Sequence, residues 1–428
     1  MKRFSFSSAI LGLMGCAALA LSAATPAHAG FVVGGENGWQ FSVDGMINVF
    51  MVYDAKSQLH YKNGQVIPSE YSPDGLNYYN LASERQSFRI RTGLLPSIFG
   101  FNVKSPTING VDYAARLGLY PQIQNSGTRV GLGPGTGGDL TSGGTSIDIR
   151  EVFFTADGKF GQFLIGRALN LFEGKNILTD MTLMGNGVPL NMTGGGVDLG
   201  HIGYGYTYTS FGPQFRYTTP DMSGFKVAFA IADPSNIGGA KTINQPRFET
   251  ELSYAKDFGA WKLNSWLAGL YQEAKFNAVD NAYDGTLHKV CSLAGAGGMQ
   301  AWFGPVEFLI SGFGGKGIGI QLTQVDGAVL DDANKERVSY GGLTHLTYTI
   351  GKAKIGAQYG INYVDRTDAD NVPGFAGIKS KQAVTGGVYY NITKSLLLVG
   401  EYTWAMDQYY DSARQTQNIV SLGTIFTW

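Results

Sequence analysis

Apolar and polar residues alternate with a period of two along most of this chain. In the segment 353–365, the apolar residues Ile355 and Tyr359 occupy one parity, whereas Lys354 and Gln358 occupy the other. Successive side chains of a β-strand point to opposite faces, so this period is typical of a strand with one apolar and one polar face. The pattern predicts a chain built from strands.

Sixteen segments carry this alternation. An even number of strands permits an antiparallel sheet that closes on itself without an exposed edge, which a sheet in lipid requires. The predicted strands are 39–54, 86–103, 111–124, 147–156, 161–170, 213–219, 224–233, 247–258, 260–274, 289–303, 305–314, 337–350, 353–365, 382–391, 396–408 and 418–428.

The connections between these strands alternate in length. Short turns such as 156–158 and 351–352 follow every second strand, and the other connections are long, polar and rich in glycine. Short turns at one rim and long loops at the other are typical of an outer-membrane barrel, whereas an exported β-sandwich is not expected to alternate so regularly. The fold class is therefore all-β, a transmembrane antiparallel up-and-down β-barrel of 16 strands. Its long connections are 55–85, 125–146, 171–212, 234–246, 275–288, 315–336, 366–381 and 409–417.

The inner face of this barrel is expected to be wet. On the strand 247–258, Arg247, Glu249 and Glu251 share one parity, opposite Phe248. Three ionisable groups on one face need water, because an unpaired buried charge is very costly. A barrel of sixteen strands is wide enough to leave an aqueous channel.

An export signal precedes the barrel. Lys2 and Arg3 stand before an apolar run over 9–24, and small residues suited to a signal peptidase end at Ala29. The run is shorter than the roughly 20 residues that a spanning helix needs. We therefore expect a signal peptide at 1–29 and one barrel domain at 30–428.

Composition removes several classes of protein. Charged residues make up only 15% of the chain, yet no apolar stretch after the signal is long enough for a membrane helix. The 32 basic and 33 acidic residues nearly balance, which argues against a nucleic-acid partner. Cys16 leaves with the signal, so Cys291 alone remains, and the histidines show no metal spacing. Asp331 and Asp332 fit a solvated acidic loop better than a calcium site. No cofactor or metal site is predicted.

One segment resembles a known family. The stretch 150–167 begins Arg150-Glu151-Val152-Phe153-Phe154, turns at glycines and ends in Gly166-Arg167. It is similar to the fourth-to-fifth-strand hairpin of the Gram-negative general diffusion porins. The following loop contains Leu178-Thr179-Asp180-Met181, which resembles the acidic part of the porins' constriction loop. With the signal, the strand count and the terminal tryptophan, the resemblance covers the whole mature chain.

The resemblance implies a function and an assembly. It implies a homotrimer in the outer membrane of a Gram-negative bacterium, in contact with membrane lipid and lipopolysaccharide. Each barrel would be a passive channel for ions and small hydrophilic solutes, narrowed by a third long loop at 171–212 that folds inward. The chain departs from the family pattern after Asp180, where no second acid follows closely, and Glu173 is the other acid in the first half of that loop.

Charged residues at the constriction are predicted from this resemblance and from parity. Asp180 and Glu173 would supply the acidic side, facing the bases Arg91, Arg150 and Arg216 on the wall. Each arginine has inward parity, and a solvated lumenal arginine away from the constriction is the alternative for each. Because bases outnumber acids, we expect a preference for anions. Parity alone makes three further residues lumenal: Arg89, Arg116 and His345.

Two residues point outward by parity although they are charged. Arg167 shares its parity with Phe163, which would be costly in lipid unless another subunit covers it. In the porin family the second long loop latches onto the adjacent subunit, and Asp139 in that loop is the expected partner of Arg167. A bulge at Gly166 that turns Arg167 inward is the alternative. Glu151 also falls on the outward parity, where a subunit interface would have to cover it.

Three other functions are alternatives to a general porin. A substrate-selective porin for sugars or phosphate stays open, since aromatic residues such as Tyr61 and Tyr71 occur in a long loop. A transporter of hydrophobic substrates should carry an N-terminal hatch, but strand 39–54 starts almost at once. An outer-membrane barrel enzyme needs a nucleophile with a histidine and an acid in a recognisable pattern, which is absent from the sequence.

Overall fold

The computed structural model describes residues 30–56, 86–124, 147–190, 197–240, 245–275 and 289–428. The predicted signal peptide 1–29 and Asp139 lie outside these ranges. The described residues form eighteen β-strands and three short helices. No helix among them has the length and apolar character needed to cross a membrane.

The strands follow one another along the chain with few interruptions. In order, they are β1 Phe31–Gly34, β2 Gln40–Lys56, β3 Gln86–Arg91, β4 Ile98–Lys104, β5 Asp112–Pro121, β6 Ile147–Gly158, β7 Gly161–Leu169, β8 Phe211–Thr218, β9 Phe225–Ala232, β10 Arg247–Asp257, β11 Lys262–Lys275, β12 Lys289–Phe303, β13 Val306–Lys316, β14 Val338–Ile350, β15 Ala353–Val364, β16 Ile378–Asn391, β17 Leu396–Tyr409 and β18 Arg414–Thr427. The helices are α1 Gly174–Leu178 and two 3-10 turns, Met181–Met184 and Ile237–Gly239.

These strands close into a barrel of sixteen. Each strand from β4 to β18 pairs antiparallel with its neighbour in sequence, and β18 pairs back onto β2. β3 and β4 both pair with β2 and together form one interrupted strand, while short β1 pairs with the start of β2. The predicted sixteen-stranded antiparallel barrel is therefore confirmed. The single predicted strand 86–103 is corrected to two pieces, and β1 was not predicted.

The interruption between β3 and β4 has a local cause. Pro96 has no amide proton for a ladder hydrogen bond. The Asn48 side chain satisfies the backbone that leaves the sheet: its Oδ1 accepts from Gly93 N at 2.9 Å and its Nδ2 donates to Leu95 O at 2.6 Å. Gly93 O and Leu94 N, which are freed from the ladder, bond Asp198 N and Gly185 O in the connection between β7 and β8.

The two faces of the barrel differ as the alternation predicts. Leu267 and Leu346 on the outer face are 65% and 56% exposed, whereas Gln272 and Thr347 on the inner face are at most 1% exposed. Aromatic rings follow the rim that carries the short turns, where the Phe258 and Trp261 rings stack at 4.3 Å. An apolar band with aromatic borders suits a barrel in lipid.

A β-bulge in β6 changes the orientation of Glu151. The pairing with β5 shifts between Gly118 and Leu119, so Arg150 is left as an extra residue between Ile149 and Glu151. Both Ile149 and Val152 are exposed on the outer face, whereas Glu151 is 3% exposed. The outward position expected for Glu151 is therefore wrong, because a bulge reverses the parity beyond it.

A charge on the outer face of β14 tests this orientation. Leu346→Arg places a guanidinium in the apolar band and should lower the free energy of unfolding in lipid vesicles by about 2–4 kcal/mol. Thr349→Arg on the same strand is the control, because Thr349 is exposed on the inner parity near the rim. Denaturant unfolding of both variants checks the expectation. Equal destabilisation by the two changes would contradict the assigned faces.

Candidate functional site

The connection between β7 and β8, called the third loop here and covering 170–210, lies inside the barrel. Its described residues are mostly buried, and Phe172 and Tyr204 have no exposed surface. They belong to an apolar cluster with side chains of the inner wall, including Leu309 on β13 and Leu343 on β14. The loop thus packs directly against the wall.

Wall side chains hold the loop by its backbone amides. Glu249 on β10 accepts hydrogen bonds from Leu171 N at 2.6 Å and from Phe172 N at 3.2 Å. Glu401 on β17 accepts from Asn186 N at 2.8 Å and from the next amide at 2.9 Å. A buried amide without a partner costs about 1–3 kcal/mol, so these carboxylates fix where the loop can lie.

The far part of the loop is bound at the interruption between β3 and β4. Arg91 and Asp198 form a fully buried ion pair at 2.7 Å between Nη2 and Oδ1. Asp198 N donates to Gly93 O, and Leu94 N donates to Gly185 O at 2.9 Å. Burial raises the pKa of Asp198 to about 7, although the charge of Arg91 opposes the shift. Arg91 is therefore an anchor of the loop, and its role in the constriction stays a prediction.

Asp180 is bound within the loop and to the wall. Its Oδ1 accepts from Thr182 N and Gln358 Nε2 at 2.7 and 2.6 Å. Its Oδ2 accepts from Tyr206 Oη at 2.5 Å and His201 N at 3.1 Å. Five donors surround this carboxylate when the Thr182 hydroxyl is included, and none is an arginine.

Glu173 is the other predicted acid of the constriction. Its carboxylate accepts from Thr207 N at 2.7 Å and from the Thr207 hydroxyl. Burial raises its pKa to about 8. Its backbone lies in the left-handed region, with φ of 57°. Glu173 near the start of the loop thus binds Thr207 near its end. The role of Glu173 in selecting ions stays a prediction.

The remaining predicted wall bases, Arg216 and Arg150, lie on β8 and β6, with β7 between them. Arg216 donates to Gln214 Oε1 at 2.9 Å and to the carbonyl of Leu169, the last residue of β7 before the third loop. Arg150 pairs with Asp148 at 2.7 Å, and its guanidinium lies 5.5 Å from the centre of the Tyr120 ring. An eyelet made of Asp180, Arg91, Arg150 and Arg216 stays a prediction.

Arg116 belongs to a separate polar network on β2, β4, β5 and β6. It donates to Asp44 at 2.8 Å, to Asn102 at 2.9 Å and to Glu151 at 2.6 Å. The hydroxyl of Tyr120 donates to the same Glu151 oxygen at 2.5 Å. The network exists because the bulge in β6 turns Glu151 inward, a feature that strict alternation misses.

The other residues singled out in the sequence have the following places. Arg89 shares the inner parity of buried Ser87 and Arg91, between exposed Phe88 and Ile90. His345 is 3% exposed on the inner face of β14.

Arg167 is exposed and donates to Phe211 O at 2.7 Å. The pairing of β6 with β7 runs without a register shift, which keeps Arg167 on the outer parity. Its proposed partner Asp139 lies outside the described part of the chain.

A second connection also folds inward and was not predicted to do so. Residues 317–337, called the sixth loop here, follow β13, and Ile318 and Ile320 are fully buried. Asp326 organises this loop, since its carboxylate accepts from the amides of residues 320, 321, 322 and 328. Tyr208 N in the third loop donates to Gln321 O at 2.8 Å, so the two loops pack together.

In the part of the chain that the structure describes, no group of three histidine, cysteine or acidic side chains could hold a metal ion. Asp331, weighed above as a possible calcium ligand, accepts instead from Ala333 N, Lys335 N and the Thr367 hydroxyl. These hydrogen bonds stabilise the conformation of the loops around Asp331.

Similar proteins were found by fold and by family. The chain is similar to the outer membrane channel DcaP of Acinetobacter baumannii, with a TM-score of 0.66 and 15% identity over 94% of this chain and all of that one. It is similar to the anion-selective porin from Comamonas acidovorans, with a TM-score of 0.57 and 15% identity over 91% and 100% of the two chains. OmpT of Vibrio cholerae, in a trimer form, has a TM-score of 0.51 and 12% identity over 92% and 100%.

At such identities these structures share the fold. No curated protein sequence matches the chain. The family model of the Gram-negative porins, however, matches residues 15–408, nearly the whole chain. With the closed barrel and its polar lumen, this match shows that the chain belongs to the Gram-negative porin family, the outer-membrane channels through which small solutes diffuse passively.

Proposed function

We propose that the protein forms a water-filled channel in which the third loop narrows the path for ions and small hydrophilic solutes. The observation that carries the proposal is the attachment of this loop to the inner wall by Glu249, Glu401, Gln358 and Arg91. A loop held at several strands reduces the cross-section and leaves the barrel itself intact.

The solute path is proposed to run along β4, β5 and β6. The hydrogen bonds of the third loop reach β10, β15, β16 and β17, as well as the interruption before β4. The wall formed by β2, β4, β5 and β6 instead carries four side chains that bind one another: Asp44, Asn102, Arg116 and Glu151. The polar side chains of this wall already have hydrogen-bond partners in the protein, which suits passage of hydrated solutes without tight binding.

A preference for anions is part of the proposal. The acids Asp180 and Glu173 are buried among donors, at 4% and 1% exposure. Arg150 lies beside the aromatic rings of Tyr120 and Phe211, and its side chain is 13% exposed. Local charge governs a filter more than net charge does. The anion-selective porin of similar fold is consistent with this sign.

A charge reversal at Arg150 tests the sign of selectivity. Arg150→Glu should shift the reversal potential in a salt gradient toward cations, because it replaces a base beside the proposed path with an acid. Lys262→Glu is the matched control, since Lys262 is 62% exposed near a short turn and pairs with Asp257 there. Equal shifts in both variants, or none in Arg150→Glu, would contradict a role for Arg150 in the filter.

The width of the channel is tested at Gly360 on β15. A Cβ built there would clash with the carbonyl oxygen of Tyr204, so Gly360→Ala should push the third loop off the wall and change the single-channel conductance. Gly386→Ala on β16 is the control, because its Cβ would meet no atom within 4 Å. If the conductance of both variants equals that of the parent, the loop does not set the width.

The proposed assembly is a homotrimer in contact with lipid and lipopolysaccharide. OmpT, an outer membrane protein of similar fold, is known in a trimer form. Arg167 is exposed on the outer parity of β7, where a second subunit would cover its charge. We retain Asp139 as the proposed partner of Arg167 across this interface.

Gel mobility without heating tests the contact. Arg167→Ala and Asp139→Ala should each lower the temperature at which the trimer dissociates, and the double variant should lose no more than the larger single loss, because both remove one interaction. Lys262→Ala serves as a control for loss of a surface charge. Trimers of both single variants that remain as heat-stable as the parent would exclude the contact.

A further inference from the structure

A chain of polar side chains connects three neighbouring strands to the third loop. His345 on β14 lies between Glu307 on β13 and Gln358 on β15, with 3.3 Å from Nε2 to Glu307 Oε1 and 3.2 Å from Nδ1 to Gln358 Oε1. Gln358 in turn contacts Asp180 and Met181 of the loop. His345 is therefore connected to the third loop through one side chain, that of Gln358.

The orientation of the Gln358 amide is fixed by the loop. Its Oε1 accepts from Met181 N at 2.8 Å, and its Nε2 donates to Asp180 Oδ1 at 2.6 Å. Rotating the amide by half a turn would set two donors against each other at Met181 and two acceptors against each other at Asp180. The atom that faces His345 is thus the carbonyl oxygen.

Both ring nitrogens of His345 consequently face acceptors. Nδ1 must donate to the Gln358 oxygen, while Nε2 faces a carboxylate that already accepts from Gln300 Nε2 at 2.5 Å and Thr347 Oγ1 at 3.2 Å. A neutral imidazole carries one N–H and can satisfy one of the two acceptors. The geometry therefore requires a second proton between Nε2 and Glu307.

His201 in the same region provides the contrast. Its Nδ1 lies 3.0 Å from Tyr204 O, and its Nε2 lies 2.9 Å from Thr385 Oγ1. A carbonyl needs a donor, but a hydroxyl can itself donate, so one ring proton satisfies both contacts. Burial lowers the pKa of His201, in agreement with a neutral ring. The two buried histidines thus have opposite hydrogen-bond requirements.

We propose that His345 is a positioning residue whose doubly protonated ring, between Glu307 and Gln358, holds the third loop of the channel against the wall. The proposal rests on the proposed function, because positioning of this loop matters only if the loop narrows the channel. Charged and titratable groups near His345 come from three elements: Glu307, Lys354 on β15, and Asp180 and His201 of the loop.

The consequence is a channel in which the position of the third loop depends on pH in part through His345. When the ring loses its second proton, the remaining proton stays on Nε2 beside the Glu307 carboxylate, which is the stronger acceptor, so the contact of Nδ1 with Gln358 is lost. Loss of one hydrogen bond should raise the fraction of time that the loop spends off the wall roughly fivefold. Glu173 and Asp198 in the loop also titrate, so the contribution of His345 is the difference between parent and variants.

Nitrogen-15 spectra of ring-labelled histidines in the folded protein in lipid bilayers test the protonation directly. The His345 signal, identified by its absence in His345→Gln, should keep the doubly protonated signature to a higher pH than the His201 signal. If His345 loses that signature at the same pH as His201 or at a lower one, the proposal is overturned. This result does not depend on conductance, so failure of the proposed function is seen separately.

Single-channel recordings over the same pH range test the consequence. The parent should show more excursions from its main conductance level as the pH rises. His345→Gln should show a raised frequency already at acid pH, whereas His345→Lys, which keeps a cationic donor for both acceptors, should restore the quiet acid-pH behaviour. A His345→Lys channel as noisy as His345→Gln would show that the imidazole serves only packing, and an unchanged His345→Gln would overturn the proposal.

Discussion

The buried backbone N–H and C=O groups of this barrel need hydrogen-bond partners, which lipid cannot supply. This requirement determines how the strands pair and where the third loop binds the wall. The strands satisfy their own backbone by closing into a ring. The described residues of the third loop lie mostly outside strands, and several of their amides donate to carboxylates of the wall, among them Glu249 and Glu401. Polar residues that alternation assigns to the lumen are thus the structural partners of the loop.

Apolar packing and polar anchoring act together on the loop. The cluster that contains Phe172, Tyr204 and Leu343 removes apolar surface from water, which favours contact without fixing its register. The hydrogen bonds from Gln358 and the ion pair of Arg91 with Asp198 are directional and fix the register. The loop is therefore bound in one arrangement, a requirement for a constriction of defined width.

The fold followed from the sequence because a period of two is a direct consequence of strand geometry. The alternation predicted sixteen strands, their faces and the long third loop, and the closed barrel agrees. The alternation gave the wrong face for Glu151, because the bulge in β6 reverses the parity and the sequence pattern does not show the bulge. It also missed the interruption between β3 and β4, which Gly93 and Pro96 could have suggested.

The site was less predictable than the fold. Parity placed Arg91, Arg216 and His345 on the inner face, but parity carries no information about which loop atom each one meets. Glu401 was not recognised as an anchor, because its partners are backbone amides some 214 residues away in the chain. Long-range contacts of this kind depend on the path of the loop, which the local pattern does not encode.

We propose that the third loop stays docked on the wall while the channel conducts. Hydrogen exchange of the backbone amides, measured in lipid on a preparation shown to conduct, tests it most directly. The account predicts slow exchange for the amides of Leu171, Met181, Asn186 and Gly187, at rates approaching those of the strands, because each donates to a buried wall side chain. Exchange of these amides as fast as that of an exposed turn would contradict it.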